Sequence, residues 1–105
     1  MFFKRKQLTV DEARRALERF FEHNRPLIPG TLYIAKEVWE DDKHYLFTWG
    51  SREWLVEHRE PYRRVDGLVL FVSKRNGMVS SGLHVANLEK IRKMTRVPGT
   101  EEEEG

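Results

Sequence analysis

Leu68–Val85 reads LVLFVSKRNGMVSSGLHV, two strand-like runs joined by Asn76-Gly77. Asn-Gly suits a two-residue type I′ turn because both residues tolerate positive φ. With those two as the loop, Arg75 pairs with Met78, Ser73 with Ser80, Phe71 with Gly82 and Val69 with His84. Leu68, Leu70 and Val72 then share a face with Val79, Leu83 and Val85, and so apolar a surface requires a cover. On the other face Phe71 is expected to lie over the bare Gly82.

The cover is found upstream, in residues 9–24. Thr9 and Glu12 have the spacing of a capping box, and Asp11 adds negative charge at the positive end of the helix dipole. Val10, Ala13, Leu17, Phe20 and Phe21 recur at helical spacing and are expected to face the core, with Arg14, Arg15, Glu18 and Glu22 in water. Asn24 and Pro26 stop the helix.

Thr31–Trp39 and His44–Gly50 read as a second antiparallel pair, turning at Glu40-Asp41-Asp42-Lys43. Leu32, Ile34 and Val38 are set beside Tyr45, Phe47 and Trp49 as a joint core face, which leaves Trp39 and Leu46 on the outer face. Ser51–Glu60 reads either as one or two helical turns with Trp54, Leu55 and His58 inward, or as a continuing strand; Pro61 ends it. Pro61–Gly67 is a basic loop. Asn87 is the expected N-cap of a short helix carrying Leu88, Ile91 and Met94 on one face, and Pro98-Gly99 ends the fold. The expected architecture is α+β in two layers, an N-terminal helix packed on an antiparallel sheet of about four strands in two hairpins, with a short C-terminal helix. Residues 1–99 form the domain and 100–105 a disordered acidic tail.

At 105 residues the chain is long enough to bury a core without staples. It has no cysteine, which removes disulfides, thiolate nucleophiles and Cys-type zinc sites and fits a reducing cytoplasm. Met1–Lys6 lacks the order of a signal peptide, and no run approaches a membrane span. Glu101–Glu104 holds four of the 17 acids, so residues 1–100 carry 13 acids against 19 basic residues, a net +6. The basic residues cluster at Lys4-Arg5-Lys6, Arg59/Arg63/Arg64 and Arg92/Lys93/Arg96. Such a body attracts nucleic acid, anionic lipid or an acidic protein, unless it is simply a mixed, solvated surface.

No pattern names a catalyst or a cofactor. His23, His44, His58 and His84 have no metal-ligand spacing. Asp41 and Asp42 sit where turn carboxylates accept backbone hydrogen bonds. Ser80-Ser81-Gly82 lacks the glycines of a nucleophile elbow. Outer-face aromatics such as Phe71 beside basic residues are a possible stacking platform for single-stranded nucleic acid. Trp39, Trp54 and Leu55, rimmed by Arg52, Glu53, Glu57 and Arg59, suit a protein interface, or else Trp54 and Leu55 close one end of the core.

Several pieces together carry a resemblance. Thr9–Ala13 opens a helix, Tyr45–Gly50 is an aromatic strand, and Ser51-Arg52-Glu53-Trp54-Leu55 follows it. Leu68–Gly77 then gives a strand and turn, Gly82 a glycine in the returning strand, and Asn87–Ile91 a closing helix. In order and spacing, over roughly residues 9–95, this resembles the YrhB-like immunity-protein family of bacterial polymorphic toxin systems. It departs from the family in having Val65-Asp66-Gly67 and Val72-Ser73-Lys74 where an Asn-x-Pro lead-in and a strand Asp are expected. The resemblance implies a small cytoplasmic protein, without catalysis or cofactor, that binds and neutralises a toxin; a chaperone-like role is also associated with this type of domain. On that reading Trp39, Arg52, Trp54, Arg59 and His84 are the expected partner-binding residues. Nucleic-acid binding through the basic body is the alternative, no membrane partner is expected, and the oligomeric state is open.

Overall fold

The computed structural model describes residues 7–101. Its elements are helix α1 (Val10–His23), strands β1 (Leu32–Glu40) and β2 (His44–Ser51), helix α2 (Arg52–Leu55), strands β3 (Leu68–Ser73) and β4 (Val79–Leu83), helix α3 (Leu88–Arg92) and strand β5 (Thr95–Arg96). Short 3-10 turns stand at Glu60–Tyr62 and Val85–Asn87. The strands form one antiparallel sheet in the order β4-β3-β2-β1-β5. This is the expected α+β fold with one strand added. β5, only two residues long, carries no periodicity by which sequence could reveal it.

α1 begins as expected. The Thr9 hydroxyl accepts from Glu12 N, the Glu12 carboxylate accepts from Thr9 N, and Asn24 closes the last turn on Phe20 O. Ala13, Leu17 and Phe21 are buried against Val38, Tyr45, Phe47, Trp49, Leu70 and Val72, so the helix covers the face it was expected to cover. Arg14 does not face water. β1 bulges between Ile34 and Val38, and the guanidinium donates to the freed carbonyls of Ala35 (2.9 Å) and Lys36 (3.0 Å) while standing over the Phe47 ring.

The β3–β4 hairpin keeps its faces but not its register. Phe71 pairs with Ser80, Val69 with Gly82 and Leu68 with Leu83, two residues away from the expected pairing. A type I′ turn needs positive φ at both central residues, and of the two only Gly77 has it (+75°). The loop is instead Lys74–Gly77. Asn76 accepts from Met78 N (2.9 Å) and Gly77 N donates to Ser73 O (2.9 Å). Leu8 N bonds Lys74 O, and Leu8 and Ala16 press against Gly77, so the helix entry selects this loop. Gly82 is covered by the Asn87 amide, not by Phe71: a Cβ there would stand 2.7 Å from Asn87 Nδ2. Asn87 accordingly does not cap α3 with its side chain, which donates to Leu83 O (2.8 Å).

α3 lies on the opposite side of the sheet from α1, making a partial third layer where two were expected. Phe71 and Met94 are buried there. Thr100 was placed in the tail but is buried, and its hydroxyl accepts from Val38 N (3.2 Å) and donates to Val97 O (2.7 Å). The expected basic cluster at Lys4–Lys6 and the rest of the acidic tail, 102–105, lie outside the described residues.

Candidate functional site

The outer face is held partly open by its own packing. Lys90 anchors α3 at one end, bonding Asp41 Oδ2 (2.5 Å) and approaching His44 Nδ1 (3.0 Å) above the Phe71 ring. Asp41 also accepts from Lys43 N (2.9 Å) and His44 N (2.8 Å), the turn-capping role read from sequence. Burial works against its charge, but these bonds and the Lys90 ammonium outweigh it and hold the carboxyl below its ordinary value. His44 is pushed down, first by burial and then by the Lys90 cation, so its imidazole stays neutral more readily. Asp41, His44 and Lys90 are a set of convergent titratable groups on this face. The bonds of Asp41 and Lys90 run to one another, to His44 and to the turn.

Beyond this anchor, Trp39, Leu46, Thr48, Val69, His84 and Met94 line a cleft of about 390 Å³. Trp39 is half-buried and His84 exposed. Two of the five expected partner-binding residues therefore meet in one concavity, with Ile91 and Arg92 of the α3 segment along its side.

Arg64 forms the far wall of the cleft, and sequence reading had given it no individual part. The β2–β3 ladder stops at Phe47–Leu70, and beyond it the strands diverge. Arg64 fills the gap. Its Nη2 donates to Trp49 O (3.2 Å) and Leu68 O (3.3 Å), Nε also reaches Trp49 O (3.3 Å), and Nη1 pairs with Asp66. The guanidinium stacks 3.8 Å from the Trp49 ring centroid, whose other neighbour is Phe21. A guanidinium spreads its donors in a plane over three nitrogens, which reaches two carbonyls and a carboxylate on different sides, whereas a lysine's three donors all leave one nitrogen.

The other three expected residues lie just past Arg64. Leu55 and Arg64 both approach the bare Cα of Gly50, which joins α2 to the end of the outer face. Arg52 and Arg59 are exposed and Trp54 is half-buried. Arg52 pairs with Glu57 (3.4 Å), Arg59 stands over Tyr62, and Trp54 meets His58 edge-on with Arg63 above it. His58 is not turned inward as expected. It takes a left-handed φ of 57° and is exposed, because the chain reverses there and His58 N closes α2 on Trp54 O.

Glu53 locks this corner. Its carboxylate accepts from Thr31 N (3.0 Å), the Thr31 hydroxyl (2.9 Å) and the Ser51 hydroxyl (2.9 Å). The Thr31 amide first, then Glu53's own amide and the Ser51 hydroxyl, draw its pKa down to about 2 from an ordinary 4.5. A carboxyl so depressed contributes stability that is complete above the unfolded pKa and lost as pH falls through the folded one. Glu53→Gln is therefore expected to melt below the wild type at neutral pH, with the gap closing between pH 4.5 and about 2. Thermal melts across that range check it, and a gap independent of pH would contradict the assignment.

The basic clusters are interleaved with acids: Arg59 with Glu57, Arg63 with Glu60, Arg64 with Asp66, Arg92 with Glu89 and Arg96 with Glu37. Phe71 lies under Lys90 and is 4% exposed, so it offers no stacking face. Among the described residues no group of three or more His, Asp or Glu side chains could hold a metal ion, and no helix is long and apolar enough to cross a membrane. No family model, curated protein or solved structure matches the chain.

Proposed function

We propose that this chain is a small, non-catalytic protein-binding module of the cytoplasm that binds and neutralises a cognate toxin, as its resemblance to the YrhB-like immunity-protein family implies. One observation carries the reading. Trp39 and His84 line a cleft that ends on Arg64, and Arg64 and Leu55, the latter from the helix that carries Trp54, both approach Gly50, which gathers aromatic and basic side chains along one side of the sheet. Trp and Arg are the side chains that most often dominate binding energy when they enter a partner's pocket. Arg52, Arg59, Arg64 and Arg92 on this side each have an acidic neighbour, so it is the net +6 of residues 1–100 that favours an acidic partner and speeds its capture.

Nucleic acid is the second reading, favoured by the net +6 of residues 1–100. Affinity capture with the tagged chain from its native host, under nuclease treatment and a salt wash, separates the two. The proposal expects one stoichiometric protein to survive both treatments. Material released by nuclease, or lost steeply with salt as phosphate contacts are, overturns it in favour of nucleic acid.

A further inference from the structure

The two edges of the sheet are finished differently. Along β1, part of the edge is covered by β5, and the remainder is bulged, carries Lys36 and Glu37, and has carbonyls taken by Arg14. Bulges and charges are how a sheet edge is protected from pairing. β4 has neither. Its sequence Val79-Ser80-Ser81-Gly82-Leu83 contains no charge and no proline.

The bond pattern fixes which groups face outward on β4. Ser73 N donates to Met78 O and His84 N to Gly67 O, so the even-numbered residues of β4 bond to β3. Val79, Ser81 and Leu83 therefore direct their N–H and C=O groups away from the sheet. Among the described residues the one side chain bonded to them is Asn87, whose Nδ2 donates to Leu83 O and leaves that carbonyl a second lone pair.

We infer that β4 pairs with β4 of a second copy of this chain, antiparallel about a two-fold axis through Ser81. The strand is self-complementary in that register. Val79 meets Leu83 of the other copy at both ends, Ser80 meets Gly82, and Ser81 meets itself, so no charge enters the seam. The coverage by α1 is complementary as well. The helix shelters the Val79 end, where Val79 packs on the core, and leaves Leu83 and Leu68 at the other end 49% and 37% exposed. The two-fold brings the sheltered end of one copy to the bare end of the other. An unrelated strand could use the same edge but would not be selected by this symmetry.

The chain has no cysteine, so Ser81→Cys introduces a single thiol at the axis. Directly opposed, hydrogen-bonded strand residues lie about 5.5 Å apart at Cα, within disulfide range. The full chain is expected to sediment as a dimer, with Ser81→Cys cross-linking under mild oxidation and an Arg75→Cys loop control not doing so. Ser81→Pro removes an outward N–H without touching the β3 ladder and is expected to give a folded monomer. Should it fail to fold, Ser81→Lys sets two like charges at the axis and is expected to dissociate the dimer. A wild-type monomer throughout the micromolar range overturns the inference, as does a dimer in which Ser81→Cys fails to cross-link. A monomer that instead adds an extended peptide at β4 overturns the choice of a second copy.

Discussion

Phe47→Ala is expected to remove about 3–5 kcal/mol of stability, the range for truncating a buried phenylalanine. The ring is 2% exposed at the centre of the α1-facing core. It packs edge-on to Tyr45, lies beneath the Arg14 guanidinium, and sits on the strand between Val38 and Leu70. Val38 and Leu70 belong to strands already fixed by their ladders to β2, so the hole cannot close cheaply. A domain of this size holds about 5–15 kcal/mol in total, which makes this one substitution a large share of it. Denaturant unfolding checks it: the midpoint should fall steeply with the slope unchanged. A loss below about 1 kcal/mol would mean that the core repacks around the site.

Arg64→Ala is expected to cost about 2–4 kcal/mol, combining charge-assisted bonds to two strand carbonyls with the loss of a desolvated cation–π stack. The variant leaves Trp49 O and Leu68 O facing each other across a gap with no donor between them. Arg64→Lys should recover little, because its donors leave a single nitrogen and it lacks the planar group that stacks on Trp49 while reaching both carbonyls and Asp66. Hydrogen exchange would place the damage: protection should fall at the α2 end of β2 and the start of β3 before it falls at His44–Phe47. Uniform loss of protection would contradict a local role.

Much of this architecture was legible in the sequence, and what was not has physical causes. The α1 cap and apolar stripe are local features, and both stand as read. The β3–β4 faces also stand although the register does not, because a slip of two residues preserves the alternation of side chains. Asn76-Gly77 by itself argues for a tight turn. The four-residue loop is chosen by Leu8, just before α1, and Ala16 within it, which press on Gly77 from some sixty residues earlier in the chain. β5 and the third layer depend on where the chain returns after Asn87, and two residues of strand carry no period.

In the candidate site, Trp39 was placed on the outer face by alternation, whereas His84 lines the same cleft although its expected pairing with Val69 does not form and its backbone has already left the strand. Arg64 was not singled out. The Arg64-Val65-Asp66 spacing in a basic loop gives no hint of two strands parting to admit a guanidinium. The same limit applies to Arg14, whose place on the helix reads as solvent-facing until the β1 bulge supplies carbonyls for it.

The central claim is that the surface from Trp39 past Arg64 to Trp54 binds a protein. Its most direct test is the affinity of the captured partner for Trp39→Ala, Trp54→Ala and Arg52→Glu, each first shown to keep the wild-type melt. Truncating an anchor residue should weaken binding by about 2 kcal/mol, roughly thirtyfold, in at least one of the two tryptophan variants, and Arg52→Glu should slow association. Unchanged affinity in all three folded variants would contradict the claim and move the interface off this face.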